Sequence, residues 1–228
     1  MITRDFRYKR SSLIMRIFNI DSKVIRFGNK VTDLMILQVL TIVFSLPIIT
    51  IGPTFTAMHH VLLKMYRKQD PSVVSTFWAA FKSNFKQATL MWLFYLGFFL
   101  ILIADLWFFV TAEDVLWRLA IYVLPILALL GLMSGCWAFI LLSRYENTIL
   151  NTLRHAFTLL LRYPLKTLSM VVLMALSIWL SYLYRFTIPF LMLLGISVPG
   201  FLCTIVYSKI FDTLEGTDWR KEQQITED

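Results

Sequence analysis

The residues able to do chemistry are few, and they lie inside apolar stretches. His59 and His60 are neighbours in a run, residues 34–63, without a single Asp, Glu, Lys or Arg. Imidazoles relay protons or ligate metals. Adjacent positions on a helix, however, point about 100° apart. A two-histidine metal site wants i,i+4 spacing, as in H-E-x-x-H. The pair therefore reads as packing or a headgroup contact, and no metal or cofactor site is expected. Asp105 lies five residues inside one end of a second apolar stretch, 87–110. An acid at membrane depth is costly and marks a candidate functional group. Pairing with Arg118 or Arg185 is an equal reading for it. Together with Glu113 and Asp114 these residues could line a vestibule. Cys136 and Cys203 fall in apolar runs and read as buried thiols acting as small hydrophobes rather than as a disulfide. The sequence contains no G-x-x-x-x-G-K-[ST], no G-x-S-x-G and no H-E-x-x-H, so no catalytic residues are assigned.

The elements that must hold these residues are set by hydropathy and charge. Of the 228 residues, 58% are hydrophobic and 16% charged, with a formal net charge of +8. Soluble domains carry about 25% charged residues, so the composition points to a bilayer. The basic residues flank apolar spans rather than forming one face, which argues for membrane and against nucleic acid. The basic N-terminus precedes only a short mixed segment, 13–20, so no cleaved signal is expected.

Residues 87–110, 119–142, 167–184 and 186–208 each have about the ~20 residues that a bilayer core requires. The run 34–63 is different. As one helix it would span about 45 Å at 1.5 Å per residue, against a core of roughly 30 Å. Pro47, Gly52 and Pro53 interrupt it and make it a candidate hinge. One crossing, a short hairpin and a re-entrant loop all fit its length. Lys and Arg discriminate among them. A single crossing leaves 10 on one side and 12 on the other; a segment that enters and returns leaves 20 and 2. The second arrangement predicts six membrane-embedded segments with both termini cytoplasmic. Trp107, Trp117, Tyr182 and Tyr184 then sit at the outer boundary, as an aromatic belt would.

Two cytoplasmic segments show helical apolar periodicity. In 72–86 the apolar positions are Val74, Phe77, Trp78, Phe81 and Phe85, with Lys82 and Lys86 largely away from them. In 146–162 they are Ile149, Leu150, Leu153, Phe157, Leu160 and Leu161, with Arg154 elsewhere. Both are expected to lie in the headgroup plane. Phe77, Trp78, Phe81, Lys82, Leu153, Arg154 and Phe157 are the candidate partner contacts. The predicted fold is all-α: a polytopic membrane helical bundle of six segments, the first pair short or re-entrant, plus two in-plane amphipathic helices. Its parts are a basic cytoplasmic segment 1–30, one membrane domain 31–211 and a cytoplasmic tail 212–228.

Three stretches carry a resemblance. They are Phe18-Asn19-Ile20-Asp21-Ser22 with Arg26-Phe27-Gly28-Asn29-Lys30 and Asp33-Leu34; Ser45-Leu46-Pro47-Ile48-Ile49-Thr50-Ile51-Gly52-Pro53; and Phe81-Lys82-Ser83-Asn84-Phe85-Lys86-Gln87-Ala88-Thr89. Together they resemble the YesL-like family of small bacterial membrane proteins, with residues 1–17 longer than is usual there. The resemblance implies a bacterial plasma membrane and an association with carbohydrate importers of the ATP-binding-cassette type. It supplies no catalytic residues. The expectation is a non-enzymatic accessory subunit contacting the lipid bilayer and importer permease subunits. A stand-alone small-solute transporter or channel is the alternative.

Overall fold

The computed structural model describes residue 25 and residues 28–69, 71–111, 121–145, 147–183 and 195–216. These residues are helical apart from short connections, and no strand occurs among them.

Residues 28–45 form α1, and Ile51–Tyr66 form α2. Between them the chain bends at 46–47 and makes a single 3-10 turn, Ile48–Thr50. The break is at Pro47, which removes a backbone donor and excludes helix from the residue before it. Pro53 does not break anything. It sits in the first turn of α2, where its missing N–H has no helical partner to lose. The carbonyl that α1 leaves open at Phe44 is taken by two hydroxyls: Thr50 Oγ1 donates at 2.6 Å and Thr54 Oγ1 at 3.1 Å. Threonines commonly satisfy broken backbone in this way in a nonpolar medium. The tip of the hairpin is apolar and uncovered, with Leu46 76% and Ile48 62% exposed.

Val73–Thr111 is one helix of 39 residues, α3. At 1.5 Å per residue it is about 58 Å long. The expected in-plane helix 72–86 and the following span are therefore not separate elements. No glycine or proline lies between them to turn the chain, so the helix continues. Leu124–Leu142 form α4, Ile149–Arg162 form α5, Pro164–Leu183 form α6 and Ser197–Glu215 form α7. α5 and the first part of α6 meet at 100°, because Pro164 forces Tyr163 out of helical geometry. This second amphipathic helix does lie across the helix that follows it.

By length and composition, α3 and α4 are each able to cross a membrane, and a third path is counted if α5 and α6 are taken as one bent element. This is compatible with membrane localisation.

α2 is the central element. Eleven of its sixteen residues are buried, packed on α3, α4 and α7. Small residues allow the approach, as is usual between helices in lipid. A Cβ on Gly52 would stand 2.5 Å from the Ala88 carbonyl oxygen and 2.7 Å from Trp92 Cβ of α3. Polar pins fix the other helices. Gln38 of α1, fully buried, accepts from the backbone N–H groups of Ile196 and Ser197 at 3.0 and 2.8 Å, so a side chain of the first helix caps the last. Trp137 Nε1 of α4 donates to Thr167 Oγ1 of α6 at 2.8 Å. Arg67, at the end of α2, pairs with Asp212 of α7 at 3.5 Å.

Candidate functional site

Two concave features stand out among the described residues. One is a half-open apolar cavity of about 520 Å³, bordered by residues of α1, α2, α3, α4 and α6 and by Gly195 and Ile196. That volume is within the range of roughly 300–1,000 Å³ that small-molecule sites occupy. Its wall is largely aromatic and aliphatic, with Phe55, Phe99 and Phe139 among the residues lining it. Among the described residues, no Asp, Glu, Lys or Arg borders it.

His59 reaches this cavity because α2 turns it away from its neighbour. Its ring stands edge-on to Tyr207, with centroids 5.7 Å apart. Its Nδ1 is buried and has no hydrogen-bond partner. Trp92, on α3, also borders the cavity, and its Nε1 is buried without a partner. Tyr95, Cys136, Gln38 and Ser177 complete the polar part of the lining. Tyr95 Oη is already engaged, donating to Ser134 Oγ at 3.2 Å.

The other feature is an open groove of about 1,100 Å³. Its sides are α3 residues 79–87 and the connection 142–149, with His60 at its edge. His60 Nδ1 lies 2.7 Å from the Ser143 carbonyl oxygen. A carbonyl only accepts, so Nδ1 carries the proton. Gln87 Nε2 donates to the Asn147 carbonyl and closes one end. Ser83, Asn84, Lys86 and Arg144 add donors and positive charge.

The structure separates the two histidines between these features. Among the described residues, no group of three His, Cys, Asp or Glu could hold a metal. Asp105 is half-buried on α3 and borders neither feature. Arg185 and Arg118 lie outside the described residues, as do Glu113 and Asp114. Pro47, Gly52 and Pro53 form the turn and the α2–α3 contact and line neither feature.

The candidate contact residues divide. Phe77 and Phe81 are buried, at 1% and 7% exposure, with the Phe44 ring 5.5 and 5.1 Å away. Their surfaces are used within the chain, so they do not offer a contact to a partner. Trp78 remains exposed with the Lys82 ammonium 4.9 Å over its ring. On α5, Thr152, Ala156, Leu159 and Leu160 face inward. Leu150, Arg154, Phe157 and Leu161 stay outside, and Leu153 is half-buried.

Gln38, Trp92 and Tyr95 went unnoticed in the sequence. The usable signal for Gln38 was an amide alone in a charge-free run; the two aromatics carried none, since nothing in a sequence marks which ring faces a cavity.

The arrangement defines an all-helical protein with membrane-capable helices, a half-open apolar cavity and a polar open groove. A family model described as "Protein of unknown function, DUF624" matches residues 34–106, about a third of the chain. YesL-like proteins are placed in that family, and the matched stretch contains the second and third motifs quoted above. No curated protein matches the chain, and no solved structure does.

Proposed function

We propose that this protein is a non-enzymatic accessory subunit of an ATP-binding-cassette carbohydrate importer in a bacterial plasma membrane. One observation carries the reading. The two amphipathic segments, about sixty residues apart in sequence, border a single open groove through residues 79–87 and 147–149. Next to groove residues in sequence the chain leaves Trp78 and Leu150 uncovered, and Phe157 is exposed two turns further along α5. A concave polar surface flanked by uncovered apolar side chains suits a docked protein segment. The resemblance to YesL-like proteins supplies the identity of the partner, the importer permease.

In this reading the α1–α2 hairpin dips into the bilayer with its apolar tip and returns. Six membrane-embedded segments result, both termini are cytoplasmic, and the groove faces the cytoplasm. Cysteines placed by Glu113→Cys and Asp70→Cys, in a chain lacking Cys136 and Cys203, test the orientation. An impermeant maleimide applied from outside should label position 113 only. Labelling of 70 and not 113 would invert the topology.

The functional test is a pull-down of tagged protein from its own membranes in mild detergent, with a photo-crosslinker at 78 or 157. Stoichiometric recovery of permease subunits, crosslinked at those positions, is the expected result. Recovery of this chain alone would favour a stand-alone transporter or channel, and liposome uptake compared with Asp105→Asn would follow.

A further inference from the structure

We propose that the elbow between α5 and α6 binds an anionic phospholipid: Arg162 and Lys166 hold its phosphate, and Leu161 and Leu165 enter the acyl layer beside it. The inference rests on α6 crossing the bilayer, as in the topology above, and not on the importer.

Three observations converge. The first is the bend. α5 and the first part of α6 meet at 100°. With α6 crossing the membrane, α5 lies along its surface, and the elbow at Tyr163 stands at headgroup depth.

The second is charge. Arg162 and Lys166 gather at one ring, with Arg162 Cζ 5.7 Å and Lys166 Nζ 5.0 Å from the Tyr163 centroid. Such cation–π contacts use the ring face and leave the N–H donors available. Among the described residues neither side chain makes an ion pair or donates a hydrogen bond. The sequence has no Asp or Glu from Asn147 to Phe211, so no acid on either helix neutralises them. Two like charges held at one ring repel, and an anion between them reverses the sign of that interaction. Basic sites on the cytoplasmic side of membrane helices are where anionic headgroups bind.

The third is the apolar neighbourhood. α5 turns Thr152, Ala156, Leu159 and Leu160 inward. Leu161 and Leu165, each immediately before one of the two cations, are left 65% and 80% exposed. Free phosphate would leave these leucines in water, whereas the acyl chains of a lipid cover them. The headgroup follows from the charge. Phosphatidylcholine carries its own ammonium, and α5 and α6 offer no carboxylate to receive it. Phosphatidylglycerol presents a phosphate alone.

The experiment uses the full chain in phosphatidylcholine vesicles containing a trace of phosphatidylglycerol with a diazirine in its acyl chain, close to the glycerol. After irradiation, adducts are mapped by peptide mass spectrometry. The proposal expects adducts at Leu161 and Leu165, competed by excess phosphatidylglycerol and not by inorganic phosphate. Arg162→Gln together with Lys166→Gln should reduce them by about 10-fold or more, a basic residue near an anionic surface being worth roughly fivefold. Arg162→Lys with Lys166→Arg keeps both charges and should retain the adducts. Lys30→Gln, an equal loss of charge on α1, should leave them unchanged. All three side chains are exposed, and thermal melting checks that the variants fold. Equal elbow labelling by a phosphatidylcholine probe would overturn the proposal. So would unchanged labelling in the double glutamine variant, or displacement by inorganic phosphate. Adducts at Val172, exposed two turns further along α6, without adducts at the elbow would overturn it and leave the crossing of α6 standing. Adducts at neither place would overturn both. Phosphatidylglycerol is present in both leaflets, so the result does not depend on which end of the chain faces the cytoplasm.

Discussion

At the scale of single residues, missing side chains matter as much as present ones. Gly52 lets α2 lie against the backbone of α3, and the atom that a Cβ would strike is a main-chain oxygen. Backbone cannot rotate away as a side-chain end can. Gly52→Ala should therefore destabilise by about 1–3 kcal/mol, the usual range for overpacking, read as a lowered melting temperature in detergent. The Trp137–Thr167 bond calls for a smaller figure. Interhelical hydrogen bonds in membranes average about 0.6 kcal/mol and reach about 1.7. Thr167→Val keeps the shape and removes the acceptor of a fully buried indole. A loss of about 1–1.7 kcal/mol is expected, at the upper end of that range. A melt indistinguishable from the parent would mean that another group takes the indole proton. Neither glycine contact nor indole partner could be read from residue types, since both depend on which helix lies opposite.

At the scale of elements, the end of α2 and the length of α3 are the informative features. Lys68 follows α2 at φ 56, in the left-handed region, where glycine is the favoured residue. Its N–H bonds to the Met65 carbonyl and that of Gln69 to the Lys64 carbonyl, the pair of bonds that closes a Schellman cap. Lys68→Gly should stabilise the fold by roughly 0.5–1 kcal/mol, because a Cβ is disfavoured there. A lowered melting temperature would instead assign the lysine side chain a structural role. For α3, apolar periodicity in residues 72–86 was legible, but the partner of its apolar face was not. Two of its five apolar residues, Phe77 and Phe81, pack on Phe44 of the hairpin with their rings buried, while the Trp78 side chain stays exposed. A membrane surface and a neighbouring helix both reward the same stripe, and a sequence does not distinguish them. α5 differs because Pro164 supplies a bend, and proline is visible in a sequence.

For the whole molecule, the organisation is that of a buried hairpin helix ringed by others. α2 touches α3, α4 and α7, so changes at one concave feature pass through the same element that borders the other. His59 and His60 stand on successive positions of that helix, one at the cavity and one at the groove.

The sequence by itself determined the helical class, the apolar stretches and the uneven placement of Lys and Arg, because each follows from composition along one dimension. It placed an interruption over Pro47, Gly52 and Pro53 for the same reason, since proline acts on its own backbone and that of its neighbour, and the fold narrowed the break to Pro47. Tertiary structure decided the rest. Gln38 reaches the start of α7 from more than 150 positions away, and His59 and Trp92 share a cavity because Gly52 lets their helices close. Such pairings come from packing between distant segments in three dimensions, where the periodicity of any one helix is silent about its neighbour.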